Sequence, residues 1–151
     1  MSRARNAGTL RSEEKPLLKA MLLSLFAFLG LVRGFDIASL PAPAGARAGA
    51  GAAEQQALRA LVQDVGKGTV TIEGARLFQV GKDVPWVAVA KRIDNLARQR
   101  GATSVALPGA DPGKNLAQAW RGRDGRGVLV AMLNSSTGGT VAYFAVRFKD
   151  G

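Results

Sequence analysis

The pattern of hydrophobic and polar positions divides the chain into three stretches of different character. An apolar run covers residues 17–32 and carries the single charge of Lys19. A stretch made of Ala, Gly and Pro, with few other residues, follows over 38–53. Beyond it, apolar positions recur with the periods of amphipathic helices and of strands. We therefore predict a basic N-terminus with an apolar helix over 1–37, a flexible linker over 38–53 and a folded domain over 54–151.

The clearest helical pattern in the predicted domain lies over residues 84–100. Its apolar positions are three or four residues apart, as one face of a helix requires: Trp86, Val89, Ile93 and Leu96. Asp83 is the expected N-cap, and Pro85 falls in the first turn, where its missing N–H costs nothing. Gly101 is the expected C-terminal stop.

A shorter helix and a series of strands make up the rest of the predicted domain. Leu58, Leu61, Val62 and Val65 share one helical face that ends at Gly66. Strands are predicted where β-branched and apolar residues alternate or form short runs: 68–73, 75–80, 103–107, 115–121, 127–133 and 140–149. The run over 75–80 either continues the strand over 68–73 across a bend at Gly74 or forms a second short strand. Asp124 and Gly125 form a typical two-residue hairpin turn between two of these strands.

This order of elements predicts the α+β class. We expect a two-layer sandwich in which two helices cover one face of a mostly antiparallel sheet. The expected inner face of the sheet combines apolar residues of the last two strands: Val128, Val130, Met132, Ala142, Phe144, Val146 and Phe148.

The charge distribution indicates that the N-terminal apolar run directs the chain into a membrane. The net charge is +10, and six Lys or Arg against two Glu lie in residues 1–34. Positive charge ahead of an apolar run keeps the N-terminus in the cytoplasm and sends the rest across. The run is short for a transmembrane helix and suits either a signal anchor or a cleaved signal peptide. A helix packed inside a cytoplasmic protein is the third interpretation.

Several catalytic chemistries lack their residues in this sequence. The chain contains no cysteine and no histidine, so it has no thiolate, no imidazole base and neither of these two residues as a metal ligand. The candidate carboxylates of the predicted domain suit caps, turns or ion pairs, and no two can be placed face to face: Glu73, Asp83, Asp94, Asp111 and Asp124. We expect no catalytic residue, no cofactor and no metal site, and we interpret the chain as a protein other than an enzyme.

Two basic groups are the candidate contacts for a partner. Arg121, Arg123 and Arg126 lie in a glycine-rich hairpin tip, where guanidinium groups can meet phosphate or another anion. Lys91 and Arg92 lie on the polar side of the predicted helix over 84–100. A solvated turn and a solvated helix face are the alternative interpretations of these two groups.

These features together favour a membrane-tethered extracytoplasmic interaction domain. The expected role is a non-catalytic accessory subunit of a bacterial envelope assembly of the secretion, transfer or division type. The expected partners are other envelope proteins and the membrane itself, contacted through residues 17–32. An anionic ligand is a further candidate partner, and nucleic acid is the less favoured one. The expected location is the inner membrane with the C-terminal domain in the periplasm. The alternatives are a secreted anion-binding module and a cytoplasmic nucleic-acid-binding domain.

The topology gives the first testable prediction. A reporter enzyme that is active only after export, fused after Gly151, is expected to be active, because the positive charges ahead of residues 17–32 retain the N-terminus in the cytoplasm. The control is a reporter that is active only in the cytoplasm, fused at the same position. Activity of the second reporter alone would contradict the predicted topology.

Overall fold

Six strands form one antiparallel sheet in residues 36–111 and 113–149, the part of the chain that the computed structural model describes. The order of strands across the sheet is β1-β2-β6-β5-β4-β3. The elements are β1 (Arg47–Ala48), α1 (Ala52–Gly66), β2 (Val70–Val80), α2 (Trp86–Gln99), β3 (Thr103–Val105), β4 (Ala117–Arg121), β5 (Arg126–Ser135) and β6 (Gly138–Phe148). The predicted α+β class, with two helices on an antiparallel sheet, is confirmed. The predicted apolar run over 17–32 lies outside the described residues.

The central hairpin of the sheet is β5–β6, which pairs without interruption from Arg126 opposite Arg147 to Ser135 opposite Gly138. The predicted turn at Asp124 and Gly125 joins β4 to β5, but it is longer than the two residues predicted, because β4 ends at Arg121 and β5 begins at Arg126. A carboxylate oxygen of Asp124 accepts a hydrogen bond from the backbone N–H of Arg126 at 3.1 Å. Gly125 has φ +79°, which glycine adopts without a steric penalty.

One long strand, β2, continues across Gly74, which is the first of the two predicted alternatives. It pairs with β6 from Val70 opposite Phe148 to Val80 opposite Gly139. The pairing shifts by one residue between Ile72 and Gly74, which is a β-bulge.

The layering differs from the predicted sandwich, because the two helices lie on opposite faces of the sheet. Alternate residues of β5 separate: Val128, Val130 and Met132 pack in one cluster with α2, whereas Leu129 and Ala131 pack in another with α1. The residues expected to share one inner face are divided in the same way. Those of β5 face α2, and those of β6, Ala142, Phe144, Val146 and Phe148, face α1. A strand that is apolar on both faces shows no alternation, so its sequence cannot assign sides.

Helix α2 follows the predicted apolar stripe, and Ile93 and Ala97 have no exposed surface. Its first turn differs from the prediction. Asp83 is not the N-cap, because the chain forms a turn in which Val84 N–H donates to Gly81 O at 3.1 Å. Pro85 is extended and takes the cap position without a side-chain cap, so the helix starts at Trp86.

Residues 36–46, which we call the strap, pack against the sheet rather than leading away from it. Leu40 is 2% exposed and belongs to the cluster of α2, with Ile37, Ala42 and Ala46 packed at its margin. The composition of 38–53 predicted a flexible linker, and the structure differs here. Side chains from elsewhere in the domain bind the strap's backbone, and the sequence of the strap does not show this.

Arg76 of β2 holds the first part of the strap. Its guanidinium donates from Nη1 to Ile37 O at 2.7 Å and to Leu40 O at 2.8 Å. The same guanidinium lies 4.9 Å from the centre of the Phe78 ring. Charge-assisted bonds of this kind are stronger than neutral ones, so Arg76 fixes the turn of the strap over β2.

Tyr143 of β6 and Arg92 of α2 hold the next two residues of the strap. The Tyr143 hydroxyl donates to Pro41 O at 2.9 Å, and Arg92 donates to Ala42 O at 3.3 Å. Burial raises the pKa of Tyr143 to about 12, although Arg92 and Arg76 act in the opposite direction. A hydroxyl that stays protonated remains a donor, so the bond to Pro41 persists to high pH.

The strap gives a prediction about the smallest stable domain. The sequence alone suggests that residues 54–151 fold without the rest. Because the strap buries Leu40, we expect that fragment to be less stable than residues 34–151 by at least about 2 kcal/mol, the value of one buried leucine side chain. Urea unfolding of both fragments measures the difference. Equal midpoints and slopes would show that the strap adds nothing to the fold.

Tyr143 gives a prediction of pH dependence, because it is the chain's single tyrosine. Its pKa is about 12 in the folded domain and 10.0 ordinarily, so its contribution is complete below pH 10 and is lost as pH rises to about 12. This loss is expected to be about 2 to 3 kcal/mol, at 1.36 kcal/mol per pKa unit. Ultraviolet titration of tyrosinate measures the pKa directly. The Tyr143→Phe variant is expected to lack this part of the alkaline loss, and an identical profile in both proteins would contradict the assignment.

Candidate interaction surfaces

The first candidate surface is one end of the sheet, where the β4–β5 turn meets the end of β6. The structure brings the three predicted tip residues together with Arg147 of β6 and Lys149, which follows the end of β6. We call this group the basic end, and it consists of Arg121, Arg123, Arg126, Arg147 and Lys149. Among the described residues, Glu73 forms ion pairs with this group and Asp124 lies within its turn, so these five cations and two carboxylates carry a net charge of +3; Asp150 follows Lys149 in the sequence and is not counted.

At the centre of the basic end, two arginines lie directly opposite each other in the sheet. Arg126 and Arg147 are register partners across β5 and β6, a position where like charges are destabilising. Glu73 occupies the bulge of β2 and offsets this repulsion, with one carboxylate oxygen 3.5 Å from Arg126 Nε and the other 3.5 Å from Arg147 Nη2. The two guanidinium side chains remain about half exposed, at 50% and 55%.

The two remaining tip arginines have different surroundings. Arg121 is partly buried, and its guanidinium lies 5.8 Å from the centre of the Phe148 ring. Arg123 is exposed at the turn itself. The carboxylate of Asp124 accepts from the turn backbone, and the three arginines of residues 121–126 outnumber this one carboxylate, so the tip keeps a positive charge.

Sequence reasoning missed the two cations at the end of β6, Arg147 within the strand and Lys149 just after it. Arg147 and Lys149 are alternate residues at the end of the last strand, and nothing local links them to residues 121–126. The β5–β6 register alone places Arg147 beside Arg126. A hairpin prediction with an assumed turn at 135–138 would have supplied that register.

Lys91 and Arg92, the other predicted contact residues, lie on α2, apart from the basic end. Arg92 binds the strap at Ala42 O, so its role in the structure is to hold the fold. Lys91 is exposed and lines a second candidate surface.

The second candidate surface is a groove of about 370 Å³ between α2 and the edge of the sheet at β3 and β4. It is lined by Trp86, Val87, Ala90, Lys91, Asp94, Arg98, Ser104 and Gln118. Val87 is 72% exposed and is the one large hydrophobic residue classed as exposed in the described part of the chain. On the sheet side of the groove, Gln118 of β4 donates to the Ser104 hydroxyl of β3 at 3.2 Å.

Asp94 is fixed within this groove by two donors. One oxygen accepts from the Trp120 indole at 2.8 Å, and the other lies 3.0 Å from Arg98 Nε, an ion pair that the sequence predicts. The Trp120 hydrogen bond, followed by Arg98, lowers the pKa of Asp94. Asp94 is therefore an ionised structural group that orients Arg98.

The other candidate chemical groups lie apart from one another. Ser135 donates to Gly138 O at 3.0 Å within the β5–β6 turn, and Asp111 accepts from Gly113 N–H at 3.0 Å. A smaller pocket of about 140 Å³ lies beside this turn, next to Lys82, Trp86 and Asn134. The described residues contain no group of three or more His, Cys, Asp or Glu that could hold a metal ion. Within 36–111 and 113–149, no helix is long and apolar enough to cross a bilayer.

Comparison with protein-family models, with curated proteins and with solved structures finds no match to this chain.

Proposed function

We propose that this protein is a non-catalytic, membrane-tethered interaction domain on the extracytoplasmic side, an accessory subunit of a bacterial envelope assembly of the secretion, transfer or division type. Its tether is the apolar run over 17–32 with basic residues ahead of it. The observation that carries the interaction role is the groove beside β3, with Val87 exposed at its margin.

The groove combines two features that suit an extended segment of a partner protein. β3 has β4 as its neighbour on one side and forms the edge of the sheet on the other, where a further strand can pair. Exposed apolar surface next to that edge supplies a place for an anchoring side chain. β3 is three residues long, so side-chain contacts in the groove must add to the backbone pairing.

The charges of the groove indicate the chemistry of that partner segment. Lys91 and Arg98 line it, and Asp94 is already bound to Arg98 and Trp120. An extended segment with an apolar residue for Val87 and acidic residues for Lys91 complements this surface. The partner in this proposal is another envelope protein that presents such a segment.

A photo-crosslinking amino acid at position 87 tests this proposal in the full chain, in its native host. We expect an adduct with an exported envelope protein, mapped to an acidic and apolar extended segment. A synthetic peptide of the mapped segment is expected to bind the wild type at least about tenfold more tightly than Val87→Asp, a difference of 1.4 kcal/mol.

The matched control is Ala88→Asp, an identical charge change on an exposed neighbour that does not line the groove. This variant is expected to bind the peptide as the wild type does. Adducts only with cytoplasmic proteins, or equal losses in the two variants, would contradict the proposal.

A further inference from the structure

We propose that the basic end is a contact site for anionic lipid headgroups, which orients the domain at the surface of the membrane that holds it. This inference rests on the proposed tether and adds a second, separate surface to the groove beside β3. It concerns the phosphate of a lipid headgroup, and nucleic acid phosphate is an alternative outcome of the test.

The first support is the electrostatic imbalance at the centre of the basic end. Arg126 and Arg147 face each other across the ladder, and one carboxylate, that of Glu73, serves both at 3.5 Å. Each guanidinium has five N–H donors, and the Glu73 carboxylate approaches Arg126 at Nε and Arg147 at Nη2. A phosphate that binds both side chains through paired hydrogen bonds relieves the remaining repulsion.

The second support is that the surroundings keep this positive charge accessible. Arg123 and Lys149 are exposed beside the central pair. The Asp124 carboxylate accepts from the backbone N–H of Arg126 within its own turn, and its charge is already included in the net charge of +3. The net charge of +3 is therefore presented at the end of the sheet rather than paired within it.

The third support is the point at which the chain enters the domain. Ile37 begins the strap and is bound through its carbonyl to Arg76 at 2.7 Å. The strap's first residues contact β2 and β6, near Gly74 and its register partner Ala145. Arg147 follows Ala145 by two residues, so the chain enters beside the basic end.

The short chain between the tether and the strap keeps the basic end within reach of the lipid headgroups. The apolar run ends at Val32, five residues before Ile37. Five residues span at most about 18 Å when fully extended. Charges interact over a Debye length of about 8 to 10 Å at ordinary salt concentrations, so an anionic surface at the end of the tether attracts the basic end before more distant parts of the domain.

The absence of cysteine from the sequence permits a sharp test with a single fluorescent label. We place the label at Thr71→Cys, an exposed register partner of Arg147, and separately at Ser136→Cys, in the turn at the opposite end of β6. The full chain is reconstituted in vesicles of phosphatidylcholine, with or without phosphatidylglycerol, that carry a headgroup quencher. Flotation with the vesicles reports the tether independently of the label.

We expect quenching at position 71 to rise at least twofold with phosphatidylglycerol and to return to the phosphatidylcholine level at about 1 M salt, where the Debye length is about 3 Å. Quenching at position 136 is expected to stay unchanged. The Arg123→Ser/Arg126→Ser/Arg147→Ser variant is expected to lose the response. The Lys82→Ser/Lys91→Ser/Lys114→Ser variant, with the same change in net charge elsewhere, is expected to retain it.

A second variant guards against loss of folding in the triple variant. Arg123→Ser alone alters one exposed side chain and is expected to lose part of the response with unchanged urea unfolding. A chain that floats with the vesicles but shows equal quenching in both lipids overturns the headgroup contact and leaves the tether standing. A chain that fails to float with either lipid refutes the tether. A response of position 71 to duplex DNA, with none to phosphatidylglycerol, also overturns the inference.

Discussion

The structure depends on one constraint, which is that the central hairpin β5–β6 is apolar on both faces. Val128 and Val130 point to one side and Leu129 to the other, and all three have no exposed surface. A sheet of this kind needs a cover on each side. Helix α1 covers one face. On the other, α2 lies over β3 and β4, and the start of the strap lies over β2 and β6. The strap is thus the second half of a cover that one helix of 14 residues cannot complete.

The local elements could be predicted from the sequence, and their arrangement in space could not. The stripe around Ile93 located α2, and the dipeptide Asp124–Gly125 located the turn before β5. Each of these signals is local, because the residues that form it are close together in the sequence. The side of the sheet that each helix covers carries no such signal, since strands that are buried on both faces do not alternate. Asp83 shows the same limit at small scale. Its side chain suits an N-cap, but the turn closed by Val84 N–H and Gly81 O starts the helix two residues later than a cap at Asp83 requires.

The candidate surfaces show the same difference between what local sequence predicts and what only the fold determines. Arg123 and Arg126 could be identified because glycines and arginines are dense within the tip. Arg147 belongs to the same surface through strand register, which is a property of the folded hairpin. The groove beside β3 was not predicted, because its walls come from a helix and two strands separated along the chain. Val87 is the one residue there with a recognisable sequence signal. It is an apolar residue of α2 that does not belong to the predicted apolar stripe, since it follows Trp86 by one position.

The way in which the strap is bound has a mechanical consequence. Its carbonyl groups at Ile37, Leu40, Pro41 and Ala42 are held in chain order, each by side chains of the domain. Tension applied ahead of Asp36 reaches these bonds before it reaches the β2–β6 ladder, and one nitrogen, Nη1 of Arg76, makes the bonds to both Ile37 and Leu40. We therefore expect the strap to yield before the sheet under such a pull. A domain built in this way can detach its strap under load while the sheet stays folded.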